Sequence, residues 1–570
     1  VSLAAMWSGL ALRRPSLSGD PDVTGMELLL VPRVRRVAPA IVALLVLPLV
    51  AFTGLARVER LDWDFVIQKV LIVCEWTLAF GLLLRVSARV QERPWSAWAL
   101  FVPPLVALAS LHTIPRATAA LGIAMNDARL DPDVVLDRYA AADLSFRLTA
   151  GGLVEQTGLD ADYYRSLLRS TAVADGPSDA PPSVDWSVPF GSPREPRPNV
   201  FVFVIDSLRR DYLSPYNSAV DFTPSLGQFA RDGFVFDNAF TRYGGTWLAM
   251  PSIWVGGSVT RDWGAQGFER LNAIEKLVAG DGYRVVINDY TVAQFLRPST
   301  PVTTLDPDVP SVETDLCHLL DSLDGHLDAS ASDSRPVFAY LAPMNVHILN
   351  TRSEGRTGET PRGEIFEGFY APYASRVERM DACFGGFVSD LRRRGLYDNS
   401  VIVVTSDHGD SLGEGGNWGH QFFLFPEDVR VPLLVHVPAA LRPAVTTDLG
   451  RVTFTTDLAP TLYALLGHQV RNLGSLFGMP LFGPADQEPA PRRRESFLLM
   501  SSYGATYGLL RRNGRLLYIS DLINGREYAF DMSRELLGER IDVSDDLRIV
   551  NQRQIRERVA EVQAHYHSTP

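Results

Sequence analysis

Val200-Phe201-Val202-Phe203-Val204-Ile205 (VFVFVI) is an unbroken apolar run of β-branched and aromatic residues, and Asp206 follows at once. A strand with one wet face would alternate apolar and polar residues. A continuous run predicts a central parallel strand covered on both faces. Outward from it the texture alternates. Helical spacing covers Thr223 to Arg231 and Arg270 to Ala279; strand-like runs cover Gly282 to Asp289, Val337 to Leu341, Val401 to Thr405 and Val431 to His436. Alternating β and α elements imply an α/β domain with a doubly wound, mostly parallel sheet flanked by helices. Ligands in such sheets gather beyond the carboxyl ends of the strands.

The polar motifs fall at those ends. Asp206 opens the run Asp206-Ser207-Leu208-Arg209-Arg210-Asp211. It is placed either to hold a metal ion or phosphate-binding cation, or to cap the next helix; Arg209 in the same run is a candidate substrate contact. Thr405-Ser406-Asp407-His408-Gly409-Asp410 follows the strand VIVV. Adjacent Asp407 and His408 offer one hard oxygen and one imidazole nitrogen, a set suited to Zn²⁺, Mn²⁺ or a similar divalent ion. Asn417-Trp418-Gly419-His420 comes twelve residues after His408 across a glycine-rich loop. His420 is a candidate ligand, general acid or oxyanion donor. His347 lies beyond the strand VFAYL. The loop Tyr243-Gly244-Gly245-Thr246 leads into an apolar helix, so Thr246 and Ser252 are candidate nucleophiles at a helix N-terminus, with a plain N-cap role as the alternative.

The first third has a different character. Val37 to Leu55 carries no charge; at ~1.5 Å per residue it is about as long as a ~30 Å hydrocarbon core is thick. That length favours an uncleaved anchor over a signal peptide, whose apolar region is ~7–15 residues. Phe65 to Leu84, with Lys69 and Glu75, and Trp98 to Leu111 are weaker spans. Arg13, Arg14, Arg33, Arg35 and Arg36 precede the first span, which puts the N-terminus on the cytoplasmic side. One span or three then place the large domain outside the cell membrane. The expected division is a cytoplasmic segment 1–36, a transmembrane region 37–113, a helical connector 114–171 and a Pro- and Ser-rich linker 172–197. The catalytic domain 198–545 and a C-terminal helix or tail 546–570 follow.

The 570 residues carry a net charge of −12, which excludes a general nucleic-acid binder, because phosphate contacts need clustered cations. Cys74, Cys317 and Cys383 match no zinc-finger spacing and offer no disulfide framework.

Taken in order, these blocks resemble the sulfatase/alkaline-phosphatase superfamily over about 197–545. Arg197-Pro198-Asn199-Val200 with FVFVIDSLRRDYL resembles its opening strand and first metal ligand. TPSLGQFARDGFVFDNAF, SDHGDSLGEGGNWGHQFFLFPEDVRVPLLVHVP, Phe454 to Leu462 and Glu527 to Met532 resemble its later blocks. The resemblance implies that Asp206, Thr246, Asp407 and His408 ligate a divalent metal (Zn, Mn, Ca or Mg). It also implies that His347 and His420 contact the transferred group and the leaving oxygen. Ala249 stands where a formylglycine sulfatase has Cys or Ser, Ile253 replaces the following Arg, and Ser207 replaces a second Asp. Thr246 instead resembles the threonine nucleophile of membrane phosphoethanolamine transferases. The expected protein is a metal-dependent hydrolase or transferase of sulfate or phosphate esters on envelope glycans or lipid headgroups. The alternative is a membrane-tethered binding protein with a degenerate site.

Overall fold

In the computed structural model the described residues are 196–567 apart from 261–267, 289, 330–332, 349, 351–365, 421, 493–494 and 523–525, together with 183–187, Tyr163 and Leu167. The expected membrane spans lie outside them, as does almost all of the connector. Among the described residues no helix is long and apolar enough to cross a membrane.

The VFVFVI run forms β1 (Asn199–Val204) at the middle of a seven-stranded sheet. The other strands are β2 (Phe234–Val235), β3 (Arg284–Ile287), β4 (Val302–Thr304), β5 (Val337–Leu341), β6 (Ser400–Thr405) and β9 (Leu433–His436); β7 (Ser411–Leu412) and β8 (Trp418–Gly419) form a small separate ribbon. The sheet order is β2-β9-β6-β1-β5-β3-β4. β1 pairs parallel with both β5 and β6, and β3 parallel with both β4 and β5, whereas β9 runs antiparallel to β6 and β2. The sheet is therefore mixed and mostly parallel.

The alternation inside β1 shows why every residue of the run must be apolar. Val200, Val202 and Val204 face one core, shared with Ile253 and Trp254 of α2 (Thr246–Val255), Ile274 of α3 (Ala273–Gly280) and Leu462 of α6 (Leu458–Leu465). Phe201, Phe203 and Ile205 face the other core, shared with Phe229 of α1 (Pro224–Asp232), Leu319 of α4 (Leu316–Ala329) and Phe384 and Phe387 of α5 (Ala371–Arg393). Phe203 meets Phe384 and Phe387 edge-on, at centroid distances of 5.8 and 5.6 Å. Such pairs add about 0.5–1.5 kcal/mol beyond their buried area.

A second, antiparallel sheet of five strands, β10 (Ser496–Met500), β11 (Thr506–Arg511), β12 (Leu516–Asp521), β13 (Arg526–Asp531) and β14 (Glu539–Ile541), was foreseen only at β13. It braces the Thr246 loop: Gly244 N–H donates to Met500 O at 3.2 Å and Met500 N–H to Arg242 O at 2.9 Å. The expected C-terminal helix is α7 (Asp545–His567).

Two expectations need correction. Residues 183–187 sit inside the stretch read as a linker, yet Val184 and Trp186 are buried, and Trp186 Nε1–H donates to Val255 O at 3.0 Å. Proline and serine content masked two large apolar anchors. Cys317 and Cys383 were read as offering no disulfide framework, but they form one, with Cα atoms 5.2 Å apart, the ordinary separation for such a bond. Their separation of 66 residues in sequence is closed by the packing of α4 on α5.

Candidate metal centre and active site

Three neighbouring strands deliver the site. β6, β1 and β5 lie side by side, and their carboxyl ends carry Asp407-His408, Asp206 and the His347 loop respectively. Ser406 ties two of these ends together: its hydroxyl donates to Ile205 O at 2.6 Å and accepts from Leu208 N–H at 2.9 Å.

Asp206, Asp407 and His408 offer ligand atoms all within 4.8 Å of one another. Thr246, the first residue of α2, completes the cluster. Its hydroxyl lies 2.9 Å from His408 Nε2 and 3.2 Å from Asp206 Oδ2. Close packing of the loop puts it there: a Cβ on Gly244 would lie 2.3 Å from Phe423 O, and one on Gly245 2.5 Å from the Tyr503 ring. Ser252, the other candidate nucleophile, is fully buried and donates to Ala249 O at 2.6 Å, away from this cluster. Ala249 is also fully buried.

The donor set fits a divalent cation. Asp206 and Asp407 are 3% and 0% exposed, and among the described residues Asp407 Oδ2 meets no hydrogen-bond donor. Buried carboxylates side by side need a cation or a proton between them. Burial, and then the charge of Asp206, hold the Asp407 carboxyl well above the usual range. Burial also pushes Asp206 up, but the imidazoles of His347, His408 and His420 more than reverse it and hold it low. Burial, then His420, push His408 down to about 4, so it offers a neutral lone pair at neutral pH. Its Nδ1–H donates to Gly409 O at 2.8 Å, which turns the Nε2 lone pair toward Thr246 and the carboxylates. Ser207, with φ 61°, occupies the left-handed region and is pinned there by Tyr373, whose hydroxyl donates to Ser207 O at 2.7 Å. The Ser207 hydroxyl donates to Asp206 Oδ1 at 2.8 Å.

His420 and His347 flank the cluster. The His420 ring lies 4.0 Å from His408 and 5.3 Å from His347, centroid to centroid. Asp410 had no assigned role in the sequence. It accepts the His420 Nδ1–H at 2.6 Å and is fully buried, so Nε2 is the atom that can meet a substrate oxygen. The available signal was its place in the same short loop as Asp407 and His408. Arg209 is not where a substrate contact needs it. Its guanidinium, 2% exposed, binds Asp211 in bidentate fashion at 3.0 and 2.7 Å, Glu414 at 2.6 Å and Asp410 O at 3.1 Å. It supports the Asp410 loop from behind.

Behind that loop Ser411 donates to Glu427 at 3.0 Å, and Gly409 approaches so closely that a Cβ would lie 2.0 Å from Glu427 O. Burial, then Glu414, push the Glu427 carboxyl up from 4.5 to about 7. A raised folded value means that its contribution is fully present below the unfolded value and is lost as pH rises through about 7. Glu427→Gln is therefore expected to raise the melting temperature at about pH 8.5 and leave it nearly unchanged near pH 4, with an upper limit of roughly 3 kcal/mol. Thermal unfolding at both pH values checks this; equal shifts at both would remove the titration of Glu427 as the cause.

Residues 198–468 match the family model described as Sulfatase. An N-acetylglucosamine-6-O-sulfatase of Bacteroides thetaiotaomicron is 27% identical over 150 residues, 26% of each chain. A low-salt glycan biosynthesis sulfotransferase of Haloferax volcanii is 28% identical over 187 residues, 30% of this chain and 45% of that one. Lipoteichoic acid synthase 2 of Bacillus subtilis is 25% identical over 173 residues, 29% of this chain and 26% of that one. The chain thus spans less than half the length of these curated relatives. The solved structure of a phosphonate monoester hydrolase from Silicibacter pomeroyi aligns at 16% identity with a TM-score of 0.45, covering 64% of this chain and 96% of that one.

Proposed function

We propose that this chain, which carries a sulfatase-family domain over residues 198–468, is a metal-dependent ester hydrolase or transferase that forms a covalent ester on Thr246. The observation that carries the reading is the placement of the Thr246 hydroxyl beside His408 Nε2 and Asp206 Oδ2, at the start of a helix. Asp206, Asp407, His408 and Thr246 would hold the divalent cation. Such a cation supplies Lewis-acid polarisation and lowers the pKa of a bound hydroxyl.

The protein's own groups then divide the work. Thr246 Oγ1 gives up its proton to solvent and bonds to the phosphorus or sulfur as the bond to the leaving oxygen breaks. His420, its Nδ1–H held by Asp410, gives a proton from Nε2 to that oxygen, with His347 beside it. Water or an acceptor hydroxyl reverses the steps and frees Thr246. Ala249 supplies neither thiol nor hydroxyl, so the formylglycine route has no precursor, which favours phosphoryl over sulfuryl transfer. Relatives named for a sugar sulfate and for lipoteichoic acid support an envelope glycan or lipid-linked ester as substrate. The apolar Val37 to Leu55 stretch supports a membrane anchor. The Cys317–Cys383 bond supports a catalytic domain on the oxidising, outer side.

The test is metal content and turnover of the full chain on paired aryl phosphate, aryl phosphodiester and aryl sulfate esters. Stoichiometric metal with turnover of a phosphorus ester is expected; a metal-free protein inert on all three would overturn the reading. Asp410→Asn keeps the shape but no longer fixes the His420 tautomer. It is expected to lower kcat by about 10- to 100-fold with metal content unchanged. Equal loss of metal and activity would instead give Asp410 a role in building the metal centre.

A further inference from the structure

The loop that carries His347 is docked onto two helices through one buried side chain, Asn345, which is 2% exposed. Its Oδ1 accepts from Leu316 N–H at 2.7 Å, the first residue of α4, and its Nδ2–H donates to Asp315 Oδ2 at 2.7 Å. Asp315 in turn caps α4 by accepting from Cys317 N–H at 2.9 Å. Met344 N–H donates to Thr314 O at 3.0 Å, and Arg376 of α5 donates to Asn345 O at 3.1 Å. The His347 loop therefore hangs between the first turn of α4 and the second turn of α5. The Cys317–Cys383 bond joins that same first turn of α4 to α5, about two turns beyond Arg376.

The geometry points to Asn345 as a positioning residue for His347, and to the Cys317–Cys383 disulfide as the staple that keeps this clamp closed. The inference rests on the reading of His347 as a group that meets the substrate. First turns of helices fray readily, because their leading N–H groups have no partner within the helix. Here Asn345 supplies one such partner and Asp315 another, so the loop's position follows the position of that turn. Asp206, Asp407, His408 and Thr246 are held mainly by β1, β6 and the second sheet; their ties to the clamp are Tyr373 of α5 on Ser207 O and Asp206 N–H on Pro343 O at 3.0 Å, next to the end of β5. Opening the disulfide thus displaces His347 and leaves the metal cluster in place. Both cysteines are half-buried rather than sealed in the core, so a thiol reductant can reach them. Reduction breaks the S–S bond, puts a proton on each sulfur and oxidises two equivalents of the added thiol.

The experiment uses the full, metal-loaded chain before and after dithiothreitol, with thiol counting to show that two further thiols have appeared. Hydrogen exchange of the segment 342–348 is expected to speed up on reduction. The value of kcat is expected to fall at least about 10-fold while metal content stays constant. Asn345→Ala, with the disulfide intact, is expected to show the same pair of changes, and so is the double variant Cys317→Ser/Cys383→Ser. Exchange and kcat unchanged in the verified reduced protein would overturn the inference. So would two free thiols at these positions before reduction, or reduction that unfolds the whole domain and releases the metal. A protein with no turnover in either state would count against the enzymatic reading alone, because exchange at 342–348 still judges the clamp.

Discussion

Thr246→Ala is expected to abolish turnover, by at least about 10³-fold, while the protein folds and binds metal nearly as before. The hydroxyl is the only part of this side chain that the proposed reaction uses. It donates toward His408 Nε2 at 2.9 Å and sits 3.2 Å from Asp206 Oδ2, where a bound cation would favour the alkoxide. The helix start adds a favourable partial positive charge at the same place. Thr246 is half-buried and opens α2, a position that alanine occupies without strain, so the fold loses little. Three cluster ligands, Asp206, Asp407 and His408, remain to hold the ion. Thr246→Ser keeps the nucleophile with a freer rotamer and is expected to recover much of the lost rate. Mass spectrometry of the wild type, quenched during turnover, should find the phosphoryl or sulfuryl group on Thr246. A Thr246→Ala protein that turns over at the wild-type rate would leave Thr246 as a helix cap and move the nucleophile elsewhere.

Residues that act through their own strand ends were legible in the sequence. Asp206 and Asp407-His408 each follow an apolar run that can only be a buried strand, so chain order alone put them at the same edge of the sheet. Thr246 was legible as one of two hydroxyls, because spacing along a glycine-rich loop does not say which side of the helix faces the cluster. Burial of Ser252 against Ala249 O decides that question in three dimensions. Arg209 shows the opposite failure. A cation three residues from Asp206 reads as a substrate contact, but Asp211, two residues on, already pairs with it, and Glu414, which completes the pairing, lies on a segment that only the fold brings near. Asp410, Asn345 and the Cys317–Cys383 pair escaped for the same reason. Each acts on a group contributed by a different loop or helix, and no periodicity records such a meeting. The second sheet escaped although β10 to β13 run to five or six residues, about as long as β1, because its turns, such as Arg512-Asn513-Gly514 with φ of 51°, 52° and 80°, carry only a brief local signal.

Asp407→Asn is expected to remove stoichiometric metal and, with it, nearly all activity, yet to make the metal-free protein more stable at alkaline pH. The amide keeps the oxygen that accepts from His408 N–H at 2.9 Å, so the turn after β6 retains its shape. It loses the charge that a divalent ligand needs. In the metal-free wild type, burial and the neighbouring Asp206 hold the Asp407 carboxyl above its usual range. The folded form therefore takes up a proton more readily than the unfolded chain, and stability falls as pH rises through the raised value. The amide has no such penalty, so the gap between variant and wild type should widen from acid toward alkaline pH. With metal present the order reverses. Ligand at 100 times its Kd stabilises the wild type by about 2.7 kcal/mol, and the variant should show no comparable shift. Thermal unfolding of both proteins with and without the ion, over a pH series, reads all four states. A variant that keeps the metal-induced shift would remove Asp407 from the cluster and leave Asp206 and His408 to hold the ion with a ligand from elsewhere.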